Sequence, residues 1–463
     1  MPKATCLLIL TAFGGVLPAA AEWHAGVAHT KITPPLGMPM AGYYHNRGAA
    51  GVHDDLYVKA LVLEKEGFKA ALVVFDLISA PEEIAEQVRK LIEQQTGVPG
   101  ERVMISATHA HTGPVLISRT DRYNLQGEML ELAKRYSADL PGMVAATVAK
   151  ANASLAPVTI SSASGHEESL VFNRRFFMSD GTIGWNPGKL NPKIVKPAGP
   201  IDPEVAVVYF ETGGKPLATY VNYALHLDTV GGEHYSADYP HTLATILGRV
   251  KGSEMVTLFT QGTSGNVNHI DVKSSAPQRG HQEAARIGTV LAGEVIRTYP
   301  KLQPVREGPI QTRREIVKLP LAKFEQAEVA PARATAAKFG EPGAAPFLEL
   351  VHAFKVVELA ERNGKPVEAE VQVITAGDQL AWVALPGEVF VELGQAIKKL
   401  SPFRQTIVVE LANGSIGYIP NRKAYPEGNY EVVSARIAEG SGELLVDAAL
   451  RMLNECWKKR KAE

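Results

Sequence analysis

Val103-Met-Ile-Ser-Ala-Thr-His109-Ala-His111-Thr-Gly-Pro114 is the stretch from which the rest of the chain is read. A short apolar run suited to a strand ends in two histidines one residue apart, and Gly113-Pro114 stops it. Just upstream, residues 81–95 open on a proline, carry acids in the first turn and keep helical apolar spacing. Before them, residues 56–65 and 69–75 read as a hairpin around Glu66-Gly67. Strand, helix, strand in that order predicts an α/β fold, a mixed β-sheet core with surrounding helices. Residues i and i+2 of a strand share a face, so this reading sets His109 and His111 side by side at a strand end. Two imidazoles there bind one metal, or one binds metal while the other moves protons; two histidines with no special task is the competing reading.

Further along, residues 125–153 predict a long amphipathic helix interrupted near Pro141-Gly142. Residues 158–164, 205–211 and 217–224 read as strands, the last two flanking a Gly213-Gly214 turn. A helix over 240–250, a buried strand over 255–260 and a helix over 282–299 follow, and 322–352 reads as helical in pieces. A second hairpin is expected over 367–375 and 380–385, then a helix from Glu388 to Leu400, a strand over 405–411 and a helix over 442–461. No repeat, low-complexity tract or linker stands out, so residues 22–463 are expected to form a single domain.

The chain has 463 residues with a formal net charge of -1 and no basic stripe, which argues against nucleic acid as a main partner. The cationic Lys458-Lys-Arg-Lys461 suits a helix C-terminus. Lys3, the apolar residues 7–17 and Ala19-Ala-Ala21 have the order of a cleavable secretory leader, so residues 1–21 are expected to be a signal peptide and the protein secreted or periplasmic. The apolar part is too short to span a bilayer. Cys6 lies within the expected leader, so cleavage leaves Cys456 alone and no internal disulfide. Nothing implies an obligate protein partner.

Three more segments place a polar residue at the end of an apolar strand: Thr219 to His226, Leu380 to Glu388, and Thr406 to Asn413, which leads into Gly417-Tyr418. Singly, each has a structural reading: a strand-end histidine caps backbone, and Glu388 opens a helix. Together, the histidine pair, His226 and Glu388 could complete a zinc site with a position open to water.

The segment Ser106 to Pro114 resembles the metal-binding histidine segment of the neutral ceramidases, secreted zinc-dependent amidases that cut the N-acyl bond of ceramide. His226 stands in a matching strand-end context, and Leu385-Pro-Gly-Glu388 resembles the family's glutamate turn. Tyr418, Tyr425 and Tyr430-Glu431 resemble its late tyrosine ladder, and Asn173-Arg174 its Asn-Arg segment. The resemblance runs in order over most of the chain after residue 22. It implies one zinc ion per chain held by His109, His226, Glu388 and Tyr418, with His111, Arg174 and Tyr430 around the substrate carbonyl. It leaves open whether Ca2+ or Mg2+ also binds. The implied substrate is ceramide or a related lipid-like N-acyl compound, with transient contact at a membrane surface. Zinc lowers the pKa of a bound water to about 7, and that water attacks the amide. His111 carries a proton to the leaving nitrogen while Arg174 and Tyr430 stabilise the oxyanion.

Two departures stand out. The family has a serine in a Gly-Asp-Val-Ser-Pro-Asn segment; here the match is Ser264-Gly-Asn-Val-Asn-His-Ile-Asp271, with Asn268 in the serine position. The role of that serine is lost or passes to Asn268, His269 or Ser264. Larger members continue into an immunoglobulin-like domain, which is expected to be absent because the sequence ends at Glu463. His53-Asp54-Asp55 and the segment from His234 to Asp238 read either as turn and cap chemistry or as an entry rim or second cation site. Two alternatives remain: a barrel-type amidohydrolase whose metal site is completed by His269 or Asp271, and a secreted binding homologue that has lost turnover.

Overall fold

The hairpin around Glu66-Gly67 forms as strands Tyr57–Lys65 and Phe68–Phe75, the middle of a five-stranded sheet in a computed structural model that describes residues 22–117, 123–340 and 345–460. The expected leader, residues 1–21, lies outside the described residues. Helix Glu82–Thr96 follows, and strand Val103–Ala107 then runs parallel to Phe68–Phe75. The helix begins after Pro81 and ends on Gly97, whose φ of 72° is the left-handed state glycine adopts readily.

The chain writes this order three times. Hairpin Glu204–Thr212/Lys215–Tyr223, helix Tyr239–Lys251 and strand Val256–Gln261 repeat it in a second five-stranded sheet. Hairpin Val367–Ala376/Leu380–Ala384, helix Val391–Leu400 and strand Gln405–Val409 repeat it in a four-stranded sheet. Each unit thus ends in a parallel pair, the arrangement whose C-terminal edges accept ligands in α/β proteins. The repeat is one of topology and leaves no trace as repeated sequence.

One apolar core joins the inner faces of all three sheets through Leu61 and Leu63, Val208 and Tyr220, and Ile374, Trp382 and Ile407. Burial of each such side chain stabilises by about 1.5–3 kcal/mol. The outer faces are covered by helices: Glu82–Thr96 and Gly127–Ala153 on the first sheet, Tyr239–Lys251 and His281–Thr298 on the second, Val391–Leu400 and Ser441–Arg460 on the third. Residues 410–413 stitch the units together. The Glu410 amide donates to the Gln261 carbonyl (3.1 Å), Ala107 N to Leu411 O (3.2 Å) and Asn413 N to Ile105 O (2.7 Å).

Four expectations change. Helix Gly127–Ala153 runs unbroken through Pro141, because its buried face from Ala133 to Ala151 packs against the first sheet and offsets the lost hydrogen bond. Glu388 does not open a helix: Glu388–Val389 is a short strand and the helix starts at Val391. Strand Ile310–Leu319 has no counterpart in the sequence reading; its polar residues suit an edge that pairs on one side alone, with Val367–Ala376. Finally, no sheet among the described residues closes into a parallel barrel, which removes the barrel-type alternative. Among the described residues no helix is long and apolar enough to cross a membrane.

Candidate active site

His109 and His111 lie beyond strand Val103–Ala107 rather than on it. His109 takes a left-handed φ of 75°, a state that costs a non-glycine residue roughly 1–2 kcal/mol. Two bonds hold it there: its amide donates to Leu77 O (2.9 Å) and its Nδ1 to Ile78 O (2.8 Å). A carbonyl only accepts, so Nδ1 carries the proton and the Nε2 of the neutral ring is a lone pair. His226 follows strand Lys215–Tyr223, where Tyr239 Oη and Gln261 Nε2 both donate to Leu225 O (2.6 Å each). The His109 Nε2 lies 3.1 Å from His226 Nε2 and 3.2 Å from His111 Nε2.

Glu388 and Tyr418 meet by strand pairing. Glu388–Val389 and Tyr418–Ile419 form a two-stranded parallel ladder in which Glu388 stands directly opposite Tyr418. The Glu388 carboxylate reaches within 3.5 Å of His109 Nε2. Burial pushes its pKa up, but His109, Tyr418 and Arg174 outweigh it and hold the carboxyl at about 2. Burial lowers the His111 pKa to about 4, and burial together with His109 and Arg174 puts His226 well below the usual imidazole range. Burial opposes protonation of His109 too, yet Glu388 and the Ile78 carbonyl raise it on balance. Converging imidazole lone pairs beside an ionised carboxylate are a donor set for a borderline divalent cation. The three imidazoles offer ligand atoms within 4.8 Å of one another, and the enclosed Glu388 Oε2 has no hydrogen-bond partner, so the residues present fit a metal.

The other expected residues divide. Tyr430 stands against Tyr418 (ring centroids 5.3 Å) and lines the cleft with His109, His111, Glu388 and Tyr418. That cleft encloses about 780 Å³. Trp185, Phe347 and Tyr430 form an aromatic group, with Tyr44 against Phe347. Arg174 does not line the cleft; it sits buried behind Tyr418. Its Nη2 donates to Tyr418 Oη (3.0 Å) and Gly265 O (2.7 Å), and its Nε to Glu431 (2.9 Å). It fixes the hydroxyl of Tyr418. Asn268 is likewise outside the lining: its amide donates to Asn186 Oδ1 (2.9 Å) and its oxygen accepts from Ile270 N (3.0 Å). Ser264 gives its hydroxyl to Glu410 (2.5 Å), and His269 Nε2 bonds Gln278 O (2.7 Å). Tyr425 donates to the carbonyls of Ile437 and Ala438, a structural role.

Several partners escape the sequence reading. Asp228 lies 3.7 Å from His111 Nδ1 and accepts from Tyr43 Oη (2.6 Å). The buried guanidinium of Arg47 donates to the carbonyls of Ala41, Gly232 and His111, tying the backbone at His111 to the loop before it. Glu431 joins Arg174 to Arg175 (2.8 Å) with no exposure at all. Asp228, two residues after His226, had a local signal; Gly232 and His111, which Arg47 reaches, and the arginine partners of Glu431 are too far along the chain to have one.

The sequence matches the neutral/alkaline non-lysosomal ceramidase N-terminal family over residues 23–227. No curated protein matches it by sequence. In structure it is similar to neutral ceramidase from Pseudomonas aeruginosa, at 19% identity and a TM-score of 0.74 over 94% of this chain and 75% of that one. It is also similar to a ceramidase complexed with C2, at 18% identity and a TM-score of 0.73 over 94% and 76% of the two chains. Residues 23–227 thus match the N-terminal model of the neutral/alkaline non-lysosomal ceramidase family, and the chain as a whole has the fold of the neutral ceramidase structures.

Proposed function

We propose that the chain hydrolyses the amide bond of ceramide or a related N-acyl lipid at a zinc site formed by His109, His226, Glu388 and Tyr418. The observation that carries this is the convergence of the His109, His111 and His226 Nε2 atoms beside the unpartnered Glu388 oxygen. Bound zinc would supply Lewis acidity, polarising a carbonyl and lowering the pKa of a water. The rest falls to the chain. His111 is within reach of the same point, and its other nitrogen faces Asp228. It therefore serves as the proton carrier, taking a proton from water and returning it to the leaving amine. Asp228, braced by Tyr43, favours the protonated intermediate state of that imidazole. Tyr430 offers its hydroxyl to the carbonyl oxygen as charge develops there. Arg174 holds Tyr418 in place and favours its ionised form. The aromatic residues Tyr44, Trp185 and Phe347 give the apolar part of an amphiphile a surface to lie on. The leader-like residues 1–21 support export, and N-terminal sequencing of the protein recovered outside the cytoplasm tests it.

The direct test measures metal content and amine release together, using N-acyl sphingosine and fluorogenic N-acyl amides. The expected result is one zinc ion at the site, turnover abolished by chelator and restored by Zn2+, and loss of both in His109→Ala. Full zinc retention in His109→Ala, or turnover indifferent to chelation, would overturn the assignment. No amine release from zinc-loaded protein would instead favour the non-catalytic binding homologue.

A further inference from the structure

We propose a second divalent-cation site, separate from the first, built on His53 and His281 with Asp54 as their carboxylate. Four of the chain's 13 histidines (His53, His234, His241 and His281) gather there from separate segments. His53 follows the short strand Gly51–Val52, His234 belongs to the strand that pairs with it, and His241 and His281 lie in the first turns of two helices. His53, Asp54 and His281 offer ligand atoms within 4.8 Å of one another.

The detail of the bonding favours a ligand over simple packing. Asp54 is buried and fixed: Oδ1 accepts from Ala237 N (2.7 Å), and Oδ2 accepts from Ser236 Oγ (2.6 Å). The same Oδ2 lies 2.9 Å from His53 Nδ1. That bond places the His53 proton on Nδ1 and leaves Nε2 as a lone pair. A carboxylate behind the far nitrogen of an imidazole is the usual support of a metal-binding histidine. The His281 ring stacks on that of His53, with centroids 3.6 Å apart and planes within 8°. Its Nδ1 is enclosed and has no hydrogen-bond partner. His241 Nδ1 lies 3.7 Å from Asp54 Oδ1. Parallel rings do not aim their lone pairs at one point, so sharing an ion with His281 requires the 47% exposed His53 side chain to slide off the stack while Nδ1 stays on Asp54.

Imidazole with carboxylate selects Zn2+, Cu2+ or Ni2+ over Ca2+ and Mg2+, which prefer all-oxygen sites. Such an ion would act as a clamp rather than a catalyst. It would tie residues 53–54 to the start of helix His281–Thr298, whose preceding Gly280 amide bonds Thr229 O (2.8 Å). Residues 228–238, held between them, carry Asp228 to His111.

The test uses the full chain with Zn2+ alone as probe and does not depend on turnover. In a His109→Ala/His226→Ala background, equilibrium dialysis and metal analysis should still find one zinc ion, and zinc should raise the thermal midpoint. Adding His53→Ala and His281→Ala should abolish both. In the otherwise native protein the same pair should lower the zinc content from two ions to one and leave turnover measurable. The proposal fails if the background variant binds no zinc, or if its zinc survives loss of His53 and His281. Should the background variant not fold, the change from two ions to one in the native chain decides alone, and an unchanged content overturns the proposal.

Discussion

Replacing Glu431 with glutamine removes a negative charge from a buried network that holds the site in place. Glu431 is fully buried and bonds Arg174 at 2.9 Å and Arg175 at 2.8 Å, guanidiniums only 4% and 1% exposed. Unit charges about 4 Å apart attract by about 4 kcal/mol at an effective dielectric near 20. Glutamine keeps the shape and one acceptor oxygen but leaves both arginines without their shared carboxylate. Breaking a buried pair in this way typically costs about 3–5 kcal/mol, much of it the cost of the charge left behind. Equilibrium urea unfolding of Glu431→Gln should show that loss as a lower midpoint at unchanged slope. The half-buried Glu427, 3.2 Å from Arg175, provides the comparison: Glu427→Gln should cost less than about 1 kcal/mol. Glu431→Gln should also weaken zinc binding, because Arg174 is the donor that fixes Tyr418. A stability loss below about 1 kcal/mol would refute the reasoning and mean that other groups balance the two guanidiniums.

Three further outcomes follow from separate contacts. A Cβ at Gly265 would stand 2.5 Å from the Glu388 carbonyl, so Gly265→Ala should displace the short strand and lower zinc content and turnover; Gly293→Ala, facing open space, should leave both unchanged. Tyr43→Phe removes the donor to Asp228 and should lower kcat about fivefold in the amine-release assay, the worth of one hydrogen bond of about 1 kcal/mol. Burial pushes the Glu204 pKa up, but Lys398 and Ser164 hold it below its usual 4.5 on balance. A carboxylate lowered on folding contributes stability above its unfolded pKa and loses it as pH falls through the folded value. Lys398→Met should therefore lower the thermal midpoint at pH 7, with the difference from the native chain narrowing below pH 4.5.

Much of the fold could be read from local pattern. The hairpins, the helix between Pro81 and Gly97, and the strand before His109 all carry turn residues and periodicity that bind neighbours in sequence. What escaped was non-local. The Glu388–Tyr418 ladder is two residues long on each side, too short for any period, and its register comes from the surrounding core. Arg174 was read from a resembling Asn-Arg segment, which carries no sign of which carboxylate takes its charge; Glu431 takes it from 257 residues away. The threefold topological repeat left no sequence repeat because each unit need only keep apolar residues on its inner and covered faces. Asn268, a position matched by motif, has both ends of its amide engaged, by Asn186 and Ile270, which the motif did not reveal.

The histidine pair shows why motif and geometry must be separated even where the motif residues come together. On a regular strand, side chains two residues apart stand about 6.6 Å from each other and project in parallel. Imidazoles so placed reach a common ion only when χ1 and χ2 turn the two rings toward each other. The observed Nε2 atoms are 3.2 Å apart, with the two rings perpendicular at 90°. Here His109 stands past the strand end with a left-handed φ, its ring against His226, while His111 lies toward Asp228. The local conformational cost is offset by the bonds to Leu77 and Ile78, which come from the segment after strand Phe68–Phe75. The parallel pair of the first sheet therefore supplies both the strand that delivers His109 and the carbonyls that aim it, so the imidazoles acquire distinct tasks from one short stretch of chain.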